Sequence, residues 1–207
     1  MPVALQEVWF ENPTVGQRSR ILMLPSQSGG RQFALEYVTR LYGGEHANPA
    51  HLHTTVTETF EILKGRARYR LGSETRVAVA GDRVEMPPLV PHVHPWSDSL
   101  QELHVRHTAV SNPPNLGGLN ATLQAEITIQ GLARLGLVNG KGLPNPLQLA
   151  VLLDTTMPAT YLEGIPIAVQ RLLFGALAPL GRIAGYRAAY REHGMITEHG
   201  FETPQWV

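Results

Sequence analysis

Apolar and polar residues alternate with a period of two through much of the chain between about residues 17 and 110. Residues 33–41 alternate in this way. Residues 66–71 do so more sharply, since Ala67, Tyr69 and Leu71 share one face and three arginines share the other. A period of two is typical of strands that have one face on a core and the other in water. We therefore expect several such strands, and we interpret the arginines as a solvated strand face rather than an anion-binding site.

Glycine and proline pairs separate these alternating runs, for example Gly29-Gly30, Gly43-Gly44 and Pro87-Pro88. Such pairs mark turns, because glycine tolerates left-handed backbone and proline fixes its own φ. Many short strands with turns at this spacing, and no helical pattern between them, predict an all-β antiparallel sandwich or barrel. The same pattern argues against a parallel α/β sheet.

The pattern changes after residues 111–114, and the remainder of the chain has helical periodicity. Asn145-Pro146 is a helix start signal, because proline suits the first helical position and asparagine can cap it. Pro179 and Gly181 should kink or divide the last helix. The predicted helices cover about residues 121–137, 146–156 and 166–193. The sequence thus predicts a barrel over residues 1–118 and a C-terminal α-helical extension over residues 119–207.

The second and third predicted helices are apolar on nearly every face, which calls for burial on more than one side. Packing on the barrel or across a dimer satisfies this pattern, and the helices could also cap the barrel mouth and shape an apolar pocket. A helix lying on a membrane surface is a weaker alternative. Arg182, Arg187 and Arg191 would supply the charge, but they do not form one clean polar face.

Charge and composition narrow the function classes. The 17 basic and 17 acidic residues cancel, so the chain has no electrostatic footprint for nucleic acid. It has no cysteine, so a bound metal must use histidine and carboxylate ligands, and the composition fits a reducing cytoplasm. Residues 1–10 lack the features of a secretory signal, and the longest uncharged apolar stretch falls well short of the roughly 20 residues that a membrane span needs. We therefore expect a soluble, cytoplasmic protein.

A histidine-rich segment carries the strongest chemical signal. On a strand, His51 and His53 project from the same face, because successive side chains alternate. The residues after His53 can turn the chain so that Glu58 opens a second strand, and His92 follows a proline-rich turn. A lone His-x-His pair is ordinarily a surface or core feature. The joint spacing of three histidines and one carboxylate instead predicts a site for one divalent metal ion.

These positions resemble the two sequence motifs of the cupin superfamily. The first motif is matched by His51, His53, Glu58 and Gly65, and the second by Gly81, Pro87 and His92. The resemblance covers about residues 35–110, and it implies a small jelly-roll barrel in which the three histidines and Glu58 hold the metal.

The sequence departs from the cupin pattern at three places. Leu89 occupies a position where glycine is usual, and Trp96 one where asparagine is frequent. Gly44 lies one residue further from His51 than usual. None of these changes removes a ligand, and prolines on either side of Leu89 can supply a rigid turn of their own.

The donor set indicates a catalytic or binding site rather than a structural one. Three neutral imidazoles and one carboxylate leave a charge of about +1 on a divalent ion, and a six-coordinate ion keeps positions for water, substrate or dioxygen. Such donors accept Fe, Mn, Ni, Cu or Zn, so the metal stays open. We expect a metal-dependent, dioxygenase-like oxidoreductase. Its small organic substrate would chelate the metal through adjacent oxygens, and Glu58 would stay bound or act as a base.

The resemblance leaves alternatives open, because cupins also include isomerases, epimerases, decarboxylases, lyases and non-catalytic small-molecule sensors. Cupins that regulate transcription carry a helix-turn-helix, whereas the predicted helices here follow the barrel and are apolar and neutral. DNA binding is therefore disfavoured. The habit of the family also implies a homodimer.

The other histidines have weaker predicted roles. His94 could line the mouth of the site as a proton carrier or be an exposed rim residue. His104 and His107 fall on opposite faces of one strand, and we expect neither in the site. His46 is predicted in an exposed loop, and the remaining two, His193 and His199, in a polar C-terminal tail without a chemical role.

Overall fold

The computed structural model describes residues 5–40, 49–157, 159–197 and 200–206. Eleven of the strands in these ranges form the barrel and its edge, and two more form a C-terminal hairpin. The strands are β1 Phe10–Asn12, β2 Gln17–Met23, β3 Gln32–Thr39, β4 His51–His53, β5 Val56–Lys64, β6 Arg66–Leu71, β7 Glu74–Val79, β8 Arg83–Met86, β9 His92–Ser97, β10 Leu103–Ser111, β11 Thr160–Leu162, β12 Met195–Thr197 and β13 Gly200–Glu202.

Two antiparallel sheets form the barrel. The first has the order β1-β2-β3-β10-β5-β8, and the second has the order β11-β4-β9-β6-β7. Between β3 and β10 the chain passes back and forth between the two sheets, apart from the β6–β7 hairpin within the second sheet, as in a jelly roll. The predicted fold class, an antiparallel jelly-roll barrel with a C-terminal helical extension, is confirmed.

Alternating side chains build the core between the sheets. Along β10, Leu103, Val105 and Ala109 are buried while Arg106 is exposed, as the period of two requires. The three arginines of β6 lie on the partly or fully exposed face, and Ala67 on the same strand is buried. The interpretation of those arginines as a solvated face is consistent with this arrangement.

Three helices follow the strands. They are α1 Leu116–Arg134, α2 Pro146–Thr156 and α3 Ile167–Ile183. The helix α1 begins five residues earlier than predicted, because Asn115 Oδ1 accepts a hydrogen bond from the Gly118 amide and caps the first turn. The bounds of α2 agree with the prediction, and Asn145 caps it through the amides of Leu147 and Gln148. No described helix is long and apolar enough to cross a membrane.

The last helix ends earlier than predicted. Pro179 lies within α3 and does not divide it. The helix ends at Ile183, about ten residues early, because Gly185 adopts a left-handed φ of 92° and the Tyr186 amide donates to the Gly181 carbonyl. The left-handed glycine and this hydrogen bond form a Schellman motif, which ends a helix. The chain beyond it forms one short 3-10 turn and the β12–β13 hairpin.

The C-terminal region packs directly on the barrel. Leu119, Leu123 and Ile127 of α1 are each 1% exposed and belong to the same hydrophobic cluster as the barrel residues Phe33 and Leu35. Burying three such side chains supplies several kcal/mol, at roughly 1.5–3 kcal/mol each. The strand β11 adds to the edge of the second sheet by pairing with β4. Sequence periodicity predicted only helices here and missed this strand.

Candidate metal centre

Four strands bring histidines and one carboxylate into the barrel interior. The strand β4 carries His51 and His53, and β9 carries His92 directly opposite His51. Glu58 lies on β5 in the other sheet and is 2% exposed, so it approaches the histidines from across the barrel. The pairing of β4 with β9 thus brings together two segments that lie far apart in the sequence.

Imidazole nitrogens surround the Glu58 carboxylate. Its Oε2 lies 2.9 Å from His92 Nε2, 3.1 Å from His94 Nε2 and 3.3 Å from His53 Nε2. Its Oε1 lies 2.8 Å from Nε2 of His107. One donor atom from each of His51, Glu58, His92 and His94 lies within 4.8 Å of the others. His53 is not one of that set of four, although its ring centroid is 5.0 Å from that of His51.

Oxygen atoms hold the outer nitrogen of each of the three predicted histidine ligands. The distances from Nδ1 are 2.8 Å to the Pro49 carbonyl for His51, 2.8 Å to the Val90 carbonyl for His92, and 3.0 Å to Thr160 Oγ1 for His53. An Nδ1–H donated to such an oxygen leaves the Nε2 lone pair free and fixes the direction in which it points. Metal-binding histidines show this pattern.

The inner nitrogens are not otherwise satisfied. In the described part of the chain, Nε2 of His53, His92 and His107 is buried and has no partner in hydrogen-bonding geometry, although each lies close to Glu58. Buried polar atoms without partners are costly and call for an explanation, such as a missing ion. The donors here are imidazole nitrogens and a carboxylate oxygen, which suit a divalent transition metal. The residues present therefore fit such an ion.

The pKa shifts of Glu58, His51 and His94 favour the binding of a cation at the cluster. Burial would raise the pKa of Glu58, but His94, His53 and His107 outweigh it and hold the pKa well below its usual value. Burial lowers the pKa of His51 well below its ordinary value, and the neighbouring histidines lower it further. Burial also lowers the pKa of His94 to about 4, against the opposing effect of Glu58. Near neutral pH the cluster thus offers a carboxylate beside the neutral imidazoles of His51 and His94. Against the opposing effect of burial, Glu58 raises the pKa of His53, so a metal that binds His53 must displace a proton held beside that carboxylate.

Two further histidines, His94 and His107, lie against the Glu58 carboxylate. The expectation for His107 was wrong: its ring is 5% exposed and stacks on Phe60 with centroids 4.5 Å apart. His104 faces the other way and pairs with Glu102 at 2.8 Å, as predicted for a residue outside the site. The sequence does contain a pattern that places His107 correctly. His107 follows the apolar Val105 by two residues, so both side chains project from the same face of the strand. For His94, the sequence left open a place at the mouth of the site or on an exposed rim. In the structure it lies on the inner side, with its Nε2 3.1 Å from Glu58 Oε2.

The remaining predicted positions are placed as follows. His193 is 2% exposed and packs between the rings of Tyr190 and Trp206, so it belongs to the packing of the C-terminal tail. His46, Gly44 and His199 lie outside the described residues. Leu89 adopts a left-handed φ of 65°, and its amide donates to the His53 carbonyl at 2.7 Å. The turn before His92 therefore forms with leucine in a conformation that favours glycine.

A cavity of about 250 Å³ adjoins the cluster. The barrel contributes His51, His53, Glu58 and His94 to its wall, and the helices contribute apolar side chains such as Leu123, Leu149 and Leu153. Thr160, which contacts His53, also borders it, as does Glu126 on α1. Sequence reasoning missed Thr160 and Glu126, because no local pattern links either one to residues more than 60 positions away.

The match to a known family covers most of the barrel and none of the helices. Residues 37–105 match the sequence model of the cupin domain. Pac13 from Streptomyces, described as a unique nucleoside dehydratase, is 14% identical over 54% of this chain and 82% of its own, with a TM-score of 0.40. The plu4264 protein of Photorhabdus luminescens is 15% identical over 56% of this chain and 93% of its own, with a TM-score of 0.41.

A third solved structure, a cupin-like protein from Thermotoga maritima, is 18% identical over 46% of this chain and 68% of its own, with a TM-score of 0.36. No curated protein matches the sequence significantly. At these identities and TM-scores, none of the three structures indicates the chemistry of this chain.

Proposed function

We propose that this chain is a metal-dependent cupin enzyme, because residues 37–105 match the sequence model of the cupin domain and the histidine cluster lies within the barrel. Within that class we propose a dioxygenase or related oxidoreductase, acting on a small organic substrate whose adjacent oxygens chelate the metal. The observation that carries the proposal is the convergence of buried, oriented and unsatisfied imidazole nitrogens on the Glu58 carboxylate.

His51, His53, Glu58 and His92 are the proposed ligands. The three histidines share the fixed Nδ1 that orients a metal ligand. His94 is the alternative to His53, since it belongs to the tighter set of four donors. Its Nε2 already hydrogen-bonds Glu58, and this favours a role beside the ligands rather than among them.

An open site suits catalysis better than a structural role. The cavity reaches His51, His53 and Glu58, so a small molecule could approach the donors, whereas structural metals are closed off by protein ligands. When bound, the metal would supply Lewis acidity and free coordination positions for the paired oxygens of the substrate. Apolar side chains from the barrel and from α2 would exclude bulk water from that end of the cavity.

The protein groups around the proposed ligands have positioning and proton-handling roles. His107 fixes Oε1 of Glu58 from the side of β10, and Phe60 holds the His107 ring by stacking. His94 has its Nε2 3.1 Å from Glu58 Oε2 and borders the cavity, so it can pass a proton between substrate and solvent. Glu58 itself would serve as the base if it leaves the metal during turnover.

The test is metal analysis followed by oxygen uptake. Protein purified without chelators should contain a transition metal at near-stoichiometric level, and elemental analysis identifies it. The loaded protein should then consume oxygen with one or more members of a panel of enols, catechols and diketones. We expect His51→Ala to abolish both metal content and turnover, whereas His104→Ala, outside the cluster, should retain both.

The same experiment distinguishes the alternatives. Product formation without oxygen uptake would indicate a metal-dependent isomerase or lyase. Saturable binding of a panel compound without any product would indicate a small-molecule sensor. Absence of any transition metal at stoichiometric level near neutral pH would contradict the proposal as a whole.

We also propose that the protein is a cytoplasmic homodimer that binds no nucleic acid. The balanced charge and the absence of cysteine support the partner and compartment assignments. The exposed apolar residues Val169, Leu172 and Ile183 of α3, which are 50%, 78% and 84% exposed, support association through this helix. Light scattering coupled to size-exclusion chromatography measures the oligomeric state, and a monomer at micromolar concentration would contradict this proposal.

A further inference from the structure

The cavity has a second polar end, formed by helix α1. Glu126 and Gln130 lie four residues apart on one face of α1, and both border the cavity. Gln130 Nε2 donates to Glu126 Oε1 and, at 2.9 Å, to Ser19 Oγ on β2. In the described chain, no hydrogen bond is made by the other Glu126 oxygen. That oxygen is therefore free to accept from a ligand.

This end lies on the α1 side of the cavity, within electrostatic range of His107 but two strands away from the strand that carries Glu58. Ser19 is on β2 and Glu58 on β5, and the strands β3 and β10 lie between them in the sheet. Tyr37 of β3 lies in the intervening region, and its pKa is raised by burial and then by both Glu58 and Glu126. Apolar residues make up most of the remaining wall, including Phe33, Leu35, Leu149, Leu153 and Leu162, and a few polar side chains such as Gln17 and Thr122 also border it. The cavity thus has two polar ends joined by an apolar section.

Two observations indicate that the protein leaves the second end unsatisfied. Among the residues that line the cavity in the described chain there is no lysine or arginine, and burial raises the pKa of the Glu126 carboxyl although Gln130 and the nearby His107 oppose that rise. Asn12, which is 6% exposed, borders the same cavity, and its Oδ1 is buried without a hydrogen-bond partner in the described chain. Gln130 and Ser19 already join α1 to β2, so the link between helix and barrel does not require a carboxyl at 126.

We propose that Glu126 is a specificity-determining residue that binds a hydroxyl group at the far end of an elongated ligand. The other end of that ligand would carry the paired oxygens that face the histidine cluster, and an apolar section would connect the two. This orientation rests on the function proposed above. A hydroxyl is the matching group because it donates to a carboxyl oxygen and adds no charge to an apolar cavity.

The test uses two matched series of metal-chelating hydroxamates. One series has a plain alkyl chain, and the other has the same chain ending in a hydroxyl group, with chain length increased stepwise in both. Dissociation constants are measured by calorimetry on the metal-loaded protein, so the readout is binding and not turnover. At one intermediate length, the hydroxyl-terminated member should bind about tenfold more tightly than its alkyl partner, as expected for a hydrogen bond to a carboxylate.

Variants assign that preference to Glu126. We expect Glu126→Met to remove it. Glu126→Gln, which keeps the shape and one acceptor oxygen, should reduce it to about two- to threefold and so provides a test even if the methionine variant folds poorly. The matched control is Ile129→Met on the same helix and the same cavity, which should shift both series equally. Equal binding of the two series at every length, or a preference that survives Glu126→Met, would overturn the proposal.

A second binding experiment distinguishes failure of this inference from failure of the proposed metal chemistry. If neither series binds protein that contains its metal, chelation at the histidine cluster is contradicted. The second subsite is then judged on metal-free protein with p-cresol and toluene, small ligands that need no metal. Tighter binding of p-cresol that is lost in Glu126→Met supports the hydroxyl site, and equal binding overturns it.

Discussion

The barrel and the region after it contribute differently to the same cavity. In the described chain, the barrel strands supply the clustered donors, which are His51, His53, Glu58, His92, His94 and His107. The C-terminal region supplies none of these donors, but it holds His53 through Thr160, lines the cavity with α1 and α2, and adds Glu126 at the far end. The proposed metal ligands thus lie in the part that matches a family model, whereas the features that would select a ligand lie in the part that does not.

The helices that pack on a common type of barrel can therefore determine the shape and lining of its pocket. The helix α1 shares a hydrophobic core with the barrel, so we expect the two regions to unfold as one unit and the close packing to position the pocket wall. If this description is right, changes in the barrel should abolish metal binding, and changes in the C-terminal region should tune stability and affinity.

The largest expected effect is the loss of the metal in His92→Ala. His92 is fully buried, with its Nδ1 fixed on the Val90 carbonyl and its Nε2 2.9 Å from Glu58. Removal of a proposed ligand should weaken metal affinity by more than about a hundredfold, which exceeds the effect of losing a supporting contact. Competition with a chromophoric chelator measures the change. His104→Ala should keep wild-type affinity, and comparable losses in both variants would contradict the assignment of the donors to the inner face of the barrel.

The next effect tests whether the C-terminal region shares the core of the barrel. Leu123 of α1 is 1% exposed within the common cluster, so Leu123→Ala should lower the free energy of unfolding by about 3 kcal/mol. Leu172→Ala on α3 is the control, because Leu172 is 78% exposed and should change stability by less than about 0.5 kcal/mol. Chemical denaturation followed by circular dichroism gives both values. Two separate transitions in the wild type would show that the regions unfold independently, contrary to this description.

A smaller effect measures how far the C-terminal region controls the metal site. Thr160 Oγ1 lies 3.0 Å from His53 Nδ1, so Thr160→Val removes the contact while nearly keeping the shape. We expect metal affinity to fall by about tenfold, at the lower end of what supporting contacts contribute. Thr155→Val is the matched control, since Thr155 bonds only the Val151 carbonyl of its own helix and should leave affinity unchanged. Unchanged affinity in Thr160→Val would favour His94 over His53 as the fourth ligand.

Local patterns were sufficient for the donors and the barrel. The alternation of side chains on a strand places His51 and His53 on one face, and the same rule would have placed His107 with Val105 on the inner face of β10. Gly65 also follows local physics, because it adopts a φ of 89° and a Cβ there would lie 2.7 Å from the Glu102 carbonyl oxygen. Each of these inferences uses only residues that are neighbours in sequence or a known spacing.

Long-range pairing explains what the sequence did not reveal. The strand β11 has only three residues and is a strand because it pairs with β4, more than 100 positions earlier in the sequence. The contact of Thr160 with His53 follows from that pairing. Glu126 lies on a helix whose orientation depends on the burial of Leu123 and Ile127 against the barrel. Such contacts follow from the packed structure and leave no periodic signal in the chain.

The smallest predicted effect concerns Leu89, where the sequence departs from the glycine of the family pattern. The structure retains the left-handed conformation there, with φ at 65°, and Leu89 is 66% exposed, so its side chain contributes little burial. A left-handed leucine costs about 1–2 kcal/mol, whereas glycine adds roughly 0.5–1 kcal/mol of unfolded-state entropy. Leu89→Gly should therefore raise the free energy of unfolding by about 0.5 kcal/mol.

Urea denaturation measures this change, with Leu100→Gly as the control. Leu100 is 77% exposed and does not have a positive φ, so glycine there relieves no strain and should only destabilise the chain. Because the Leu89 amide donates to the His53 carbonyl, the relaxed turn should keep metal affinity at the wild-type level. If Leu89→Gly destabilised the protein as much as Leu100→Gly, the left-handed turn would not be a source of strain. The departure from the family pattern would then carry no energetic penalty.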